Sequence, residues 1–199
     1  MEEIKENTFF ITILGFWQVG KSSMVSSLFG FPFDDNILPT RGLDYTYNVV
    51  QFENKEYKFK ICDTIGGTKY RKISSSTIPI ADGFLLVFSL DLRRSFEELK
   101  YWLQIINEKV NINEKAVIIV GNKSDSKKRV ISFEEASKFA ELYKLKYFET
   151  SALTGNNIQN VFNKLYNDIY IKCKEAQKKL KNKKVNINFI ENLAKYYKN

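Results

Sequence analysis

The stretch Gly15 to Ser23, GFWQVGKSS, constrains this 199-residue chain more than any other. An apolar run, FFITIL (Phe9 to Leu14), leads into it, and a helix-like segment from Lys21 to Phe29 follows, stopped by Gly30 and Pro32. A β-rich run ending at a glycine reads as a strand, and Gly and Pro after a periodic segment read as a helix stop. Strand, glycine-bounded loop and helix, in that order, begin a parallel α/β unit. The frame G-x-x-x-x-G-K-[ST] brings main-chain N–H groups and a helix amino end close to a phosphate. Phe16 and Trp17 stand where such a loop ordinarily has small residues. Holding a phosphate and cutting one are therefore separate questions for this chain.

The alternation continues downstream. YTYNVVQF (Tyr45 to Phe52) and EYKFKIC (Glu56 to Cys62) flank ENK and read as a hairpin. GFLLVFSL (Gly83 to Leu90), AVIIVG (Ala116 to Gly121) and KYFET (Lys146 to Thr150) read as strands. Phe96, Leu99, Trp102, Leu103 and Ile106 recur at three- and four-residue spacing, which predicts a helix over Ser95 to Asn107. Ser132 and Glu135 stand in capping-box positions before another helix. A last body helix is expected from Asn157 to about Lys174. Strands alternating with helices imply a mostly parallel sheet with helices on both faces, and ligands in such sheets bind at the strands' carboxyl ends.

Composition narrows the chemistry. The chain has no histidine, which excludes Ser-His and Cys-His nucleophile pairs and histidine metal sites. Cys62 and Cys173 lie far apart, so reduced thiols are expected. From Lys172 to Asn199 nine lysines face two glutamates, a local charge of +7 out of a total of +8. The body is thus nearly neutral and the tail basic. A nucleic-acid domain carries its basic patch on the folded body, so no nucleic-acid partner is expected. The expected division is a domain over residues 1–174 and a basic tail over 175–199. Ile187, Ile190, Leu193 and Tyr197 recur at helical spacing in that tail. It reads as a solvated helix extension giving way to disorder, as a docked amphipathic helix, or as a weak contact with anionic membrane.

Four more pieces sit where strand ends are expected. LPTRGLDY places Thr40 before the second strand. CDTIGG places Asp63 at the end of the third, ready to hold a metal through water. VGNKSD places Asn122, Lys123 and Asp125 at the end of the fifth. A carboxylate at Asp125 can accept from both N1–H and the exocyclic amine of guanine, a pair that adenine does not offer together. ETSAL ends the sixth strand with Ser151 and Ala152, whose backbone N–H can meet the guanine O6.

With these residues in order, the sequence resembles the Ras superfamily of small GTPases, and Rab proteins most closely, from about Phe9 to Lys174. The wording GKSS, TRGLDY, DTIGGTKYRKISSSTIPIADGFLLVFSL, SFEELKYWLQII, GNKSD and TSAL carries the resemblance. It implies a P-loop GTPase domain with a six-stranded, mostly parallel sheet, binding GTP or GDP with Mg²⁺ and acting as a switch in vesicle traffic. It implies that Gln18, Val19, Gly20, Lys21, Ser22 and Ser23 cradle the phosphates, with Lys21 on the β- and γ-phosphates. Ser22 and Thr40 would hold the metal directly and Asp63 through water. Phe33 would stack on the guanine, Gly66 would contact the γ-phosphate, and Asn122, Lys123, Asp125, Ser151 and Ala152 would read the base. Effectors and exchange factors would dock on the two switch segments around Thr40 and Gly66.

The pattern breaks in two places. The residue that orients the hydrolytic water in the family is a glutamine, and here it is Gly67. Trp17 and Gln18 replace small loop residues, and the resemblance implies that bulk at position 17 crowds the γ-phosphate and blocks an inserted arginine. Binding should survive and hydrolysis should be slow. A pseudo-GTPase locked in one nucleotide state is the alternative reading. The chain ends KYYKN, without the terminal cysteines of a prenylated Rab. The expectation is a cytoplasmic protein, or one loosely peripheral on endomembranes.

Overall fold

The computed structural model describes residues 7–196, with side chains described for 7–181. Six strands form one sheet: β1 (Thr8–Gly15), β2 (Leu43–Phe52), β3 (Lys55–Thr64), β4 (Gly83–Ser89), β5 (Ala116–Asn122) and β6 (Lys146–Glu149). Their order is β2-β3-β1-β4-β5-β6. Only β2 and β3 run antiparallel; every other pairing is parallel. Glu53 and Asn54, both at positive φ (48° and 62°), make the two-residue turn between β2 and β3. Two successive positive φ values are the signature of a turn whose twist matches the strands it joins.

The helices are α1 (Lys21–Leu28), α2 (Arg71–Ser75), α3 (Arg93–Glu97), α4 (Leu99–Lys109), α5 (Phe133–Leu142) and α6 (Ile158–Tyr196). They cover both faces. All seven residues of β4 are buried, and so are all seven of β5. Their period-2 alternation feeds two cores. Leu85, Val87, Ile118 and Val120 point to the layer of α1 and α6, where Met24, Phe162, Leu165 and Tyr166 meet them. Phe84, Leu86, Phe88, Val117 and Ile119 point to the layer of α3, α4 and α5, where Phe96, Trp102, Leu103, Ile106 and Ala136 meet them. Unbroken apolar runs such as GFLLVFS are what a parallel strand covered on both sides requires.

Two expectations need correction. The single helix expected over Ser95 to Asn107 is two segments meeting at Glu98, whose ψ of −18° is closer to a 3₁₀ turn than to an α-helix. Glu98 stays in the right-handed region, so the chain path is continuous. Its carboxylate receives both contacts from Arg71 Nη2, each at 2.5 Å, which ties α2 to this bend. The capping box at α5 is only half made. Ser132 Oγ accepts from the Glu135 N–H at 3.1 Å, but the Glu135 carboxylate turns away to Arg93.

The last helix runs well past Lys174, to Tyr196. It is tied to the hairpin where the body ends. Tyr170 stacks on Phe52 with centroids 4.4 Å apart, and Lys174 Nζ reaches Glu53 at 3.1 Å. Residues 175–181 are exposed. The apolar spacing at Ile187, Ile190, Leu193 and Tyr197 lies outside the described side chains. Among the described residues no helix is long and apolar enough to cross a membrane.

Ser132 Oγ satisfies the Glu135 N–H, an orphan donor in the first turn of α5. Ser132→Ala is expected to cost about 1 kcal/mol, lowering the midpoint of thermal unfolding by about 2–4 °C. Circular dichroism melts of the two proteins check it.

Candidate functional site

The phosphate loop leaves β1 at Gly15 and enters α1 through Gly20, which sits in the left-handed region (φ 92°, ψ 29°). A Cβ there would lie 2.4 Å from Asn122 Nδ2, so no side chain fits. No side chain caps α1. Its amino end therefore presents unpartnered first-turn N–H groups, the arrangement that attracts an anion. Lys21 folds back over the loop, donating from Nζ to the Phe16 carbonyl (2.9 Å) and the Gly15 carbonyl (3.2 Å). Burial pushes its pKa down to about 8, and the charge of Asp63 only partly opposes that. A buried ammonium on carbonyl dipoles awaits an anion, because its desolvation is otherwise uncompensated.

Three oxygens converge beside the lysine. Ser22 Oγ donates to Asp63 Oδ2 at 2.5 Å and lies 3.0 Å from Thr40 Oγ1; Thr40 Oγ1 is 3.4 Å from the same carboxylate oxygen. Burial raises the Asp63 carboxyl above the usual range, and hydrogen bonding from Ser22 and the charge of Lys21 pull it partly back. The other carboxylate oxygen, Oδ1, is buried with no hydrogen-bond partner. Two hydroxyls and a desolvated carboxylate with one orphaned oxygen form a hard-oxygen donor set that fits Mg²⁺.

The residues expected to read a base form a second knot. Asn122 donates from Nδ2 to the Val19 carbonyl (2.8 Å), while its Oδ1 accepts from Thr150 Oγ1 (3.1 Å) and the Ala152 N–H (3.2 Å). Asp125 accepts from Ser151 Oγ at 2.5 Å. Lys123 adopts positive φ (66°) and its ammonium lies 3.6 Å from Asp91.

One cavity of about 1150 Å³ joins the two knots. Gln18, Gly20, Lys21, Ser22, Ser23, Phe33, Thr40, Gly66, Asn122, Lys123, Asp125 and Ala152 all line it. Three of the expected residues do not. Val19 is fully buried and contributes its carbonyl to Asn122, Ser151 stands behind Asp125, and Asp63 stands behind Ser22. Ala152 is not free for a base oxygen: its N–H is spent on Asn122. Thr150 was not singled out from the sequence, although it is buried and braces Asn122; its only signal is its place directly before Ser151.

The departures are also placed. Trp17 is 51% exposed, whereas Phe16 is buried with its ring 6.1 Å from the indole. Gly66 approaches so closely that an added Cβ would lie 2.5 Å from Trp17 Cα and 3.0 Å from Lys21 Nζ. Gly67 has φ 101° and ψ 148°, a region essentially restricted to glycine.

Known proteins resemble this arrangement. Residues 11–171 match the Ras family. The chain is 36% identical to the Ras-related protein Rab-11B of Dictyostelium discoideum, over 80% of this chain and 73% of that one. It is 33% identical to the Ras-related protein RABA4b of Arabidopsis thaliana, over 81% and 72%. Against the Ras-related protein Rab-13 of Bos taurus it is 28% identical, over 92% and 90%. The chain belongs to the Ras family.

Burial of Lys21 makes a prediction about the empty fold. The folded pKa, about 8, lies below the ordinary 10.5, so charging Lys21 opposes folding by about 3 kcal/mol. That cost is full below pH 8 and fades as pH rises toward 10.5. At pH 7, Lys21→Met is expected to raise the thermal midpoint of nucleotide-stripped protein by several degrees and to abolish nucleotide retention. The stability gap should narrow at pH 9.5. Melts at both pH values, with chromatography of the nucleotide released, measure all three effects.

Proposed function

We propose that this Ras-family chain is a Rab-like switch in vesicle traffic that holds GTP or GDP with Mg²⁺ and hydrolyses GTP slowly. The observation that carries the reading is the single cavity in which Lys21, the bare amino end of α1 and Asp125 stand together. The first two suit a polyphosphate and the third a guanine. Asp125 would accept from N1–H and the exocyclic amine, and Ser151 keeps its other edge occupied so that the carboxylate holds one orientation. Phe33, 40% exposed on the cavity wall, is the aromatic available to stack on the base. Ala152 would have to share or surrender its bond to Asn122 to reach the guanine O6.

Ser22 and Thr40 would hold Mg²⁺ directly and Asp63 through water. The ion, when bound, neutralises charge on the β- and γ-phosphate oxygens. Thr40 and Gly66 belong to the two segments that a γ-phosphate orders and its loss releases. Effectors and exchange factors would read those segments. The main-chain N–H groups and Lys21 orient the phosphates, and Trp17 limits access from the open side.

Hydrolysis is the weak point. In phosphoryl transfer the protein contributes mainly positioning and electrostatics, and Gly67 has no side chain with which to aim a water. Its backbone conformation compounds the loss, because a glutamine placed there would have to refold the loop first. The second reading, a binding module locked in one nucleotide state, draws on the tight seating of Gly66 against the Trp17 backbone. Both readings take residues 1–174 as the nucleotide-binding unit. The lysines after it offer anionic lipid about 1 kcal/mol each, a loose attachment consistent with a cytoplasmic or peripheral protein.

Single-turnover hydrolysis of labelled GTP tests the main reading. The rate is expected to fall below that of a glutamine-bearing Rab measured in parallel. Gly67→Gln should recover only part of the difference, because φ 101° and ψ 148° are closed to glutamine. Asp125→Asn should weaken GDP binding by at least tenfold, about 1.4 kcal/mol, while leaving the melt of the empty protein unchanged. A rate matching an ordinary Rab would sink the slow-switch reading. Failure to exchange GDP for GTP would favour the locked module.

A further inference from the structure

We propose that Arg94 is this chain's own arginine for the terminal phosphate, supplied from α3 and held ready on the ring of Phe16. The proposal rests on the GTPase reading above. Arg94 lines the same cavity as Lys21, Thr40 and Gly66. Its guanidinium lies over the Phe16 ring, 5.2 Å from the centroid. Phe16 is buried, so that ring is a fixed platform.

The neighbouring arginines are engaged elsewhere. Arg71 binds the Glu98 carboxylate and stacks 3.8 Å over Tyr101. Arg93 pairs with Glu135 and donates to the Val130 carbonyl at 2.6 Å. Arg94 has no carboxylate within ion-pair range among the described residues, and its guanidinium rests on the Phe16 ring. A cation–π contact at an exposed site is worth only about 0.5–1 kcal/mol, so a bound phosphate oxygen can draw the guanidinium off the ring.

This joins two departures that otherwise look unrelated. Phe16 replaces a small residue and gives an arginine a resting place beside the phosphates. Trp17 restricts the approach of an arginine from outside, and Gly67 leaves no side chain to orient water. An arginine that already lines the cavity needs no approach from outside. In the step it would assist, the water oxygen bonds to the γ-phosphorus and the bond from that phosphorus to the β,γ-bridging oxygen breaks. The electron pair stays on the bridging oxygen of GDP, and the water's proton leaves with inorganic phosphate. Arg94 would bear on the charge that develops over the γ-phosphate and bridging oxygens. Arg41 also lines the cavity, but it follows Thr40 on a connecting loop rather than standing on a helix.

The test uses the full chain, with GTP content after loading measured before any rate. Arg94→Ala is expected to lower single-turnover hydrolysis by at least about tenfold with GDP affinity unchanged, and Arg94→Lys to recover only part. Lys100→Ala, which removes a nearby exposed charge, should leave the rate unchanged. A second readout avoids the slow rate. Aluminium fluoride added to GDP-loaded protein mimics the phosphoryl group in flight, and Trp17 reports on its capture by fluorescence. The wild-type chain alone should respond, and Arg94→Ala should not. If Arg94→Ala loads GTP, hydrolyses it at the wild-type rate and keeps the fluoride response, the proposal is overturned. It is equally overturned if Arg41→Ala, and not Arg94→Ala, abolishes both. A wild-type chain that never loads GTP overturns the GTPase reading itself, and the loading measurement shows this before the arginine is tested.

Discussion

Everything in the cavity depends on one side chain, the amide of Asn122. It stands at the carboxyl end of β5 and is 1% exposed. One end grips the phosphate loop through the Val19 carbonyl, and the other grips the loop after β6 through Thr150 and Ala152. The phosphate loop after β1 is thereby tied to the paired carboxyl ends of β5 and β6 at one point. Its neighbour Gly20 must lack a side chain because Asn122 Nδ2 occupies the space. A buried amide with three partners is expensive to break, since each partner left behind costs about 1–3 kcal/mol. The loop after β1 and the loops after β5 and β6 are thus mechanically one unit, although Val19 and Asn122 lie 103 residues apart in the chain.

The charges at the other end of the cavity are arranged on the opposite principle. Lys21, Asp63, Ser22 and Thr40 are packed tightly, yet their mutual contacts do not satisfy them. Lys21 rests on carbonyls, one oxygen of Asp63 has no partner, and burial works against the charged form of both. A site that stabilises itself would pair these groups fully. This one leaves electrostatic demand that a phosphate and a hard cation would meet. Burial that weakens the empty fold is the same burial that strengthens each interaction with a ligand, because a lower local dielectric acts on both.

Much of this was legible in the sequence, because the informative residues obey short-range rules. The buried strands β4 and β5 announce themselves as unbroken apolar runs. Gly15, Gly20, Lys21 and Ser22 declare a strand–loop–helix. Asn122 and Asp125 declare a base site once the order of the loops is known. What was not legible depends on contacts between distant segments. The bend at Glu98 carries the contact to Arg71, twenty-seven residues earlier, and local periodicity through Leu99 and Trp102 gives no hint of it. The Glu135 carboxylate leaves its capping box because Arg93 lies across the helix interface. Thr150 and Arg94 have no spacing signal. Each acquires its place only when the sheet brings β6 beside β5 and seats the start of α3 against Phe16.

Binding and cutting can part company in this molecule because different atoms perform them. The groups that would hold the polyphosphate are main-chain N–H donors and Lys21, whose positions are set by the left-handed turn at Gly20 and by the Asn122 knot. The half-exposed Trp17 indole projects outward from the loop, away from its main-chain path. Aiming a water is a side-chain task, and the second loop has none at Gly67, where the family would carry its glutamine. At Gly66, the residue that would meet the γ-phosphate, the Trp17 backbone fills the space a Cβ would need. At Gly67 there is room, with Tyr70 Cδ2 the nearest atom at 3.9 Å, but the backbone has taken a conformation that other residues avoid. The two adjacent glycines therefore exclude side chains for different reasons, one by contact and one by torsion. A side chain at Gly67 would need the backbone to leave φ 101° and ψ 148°, and one at Gly66 would need the Trp17 backbone to move.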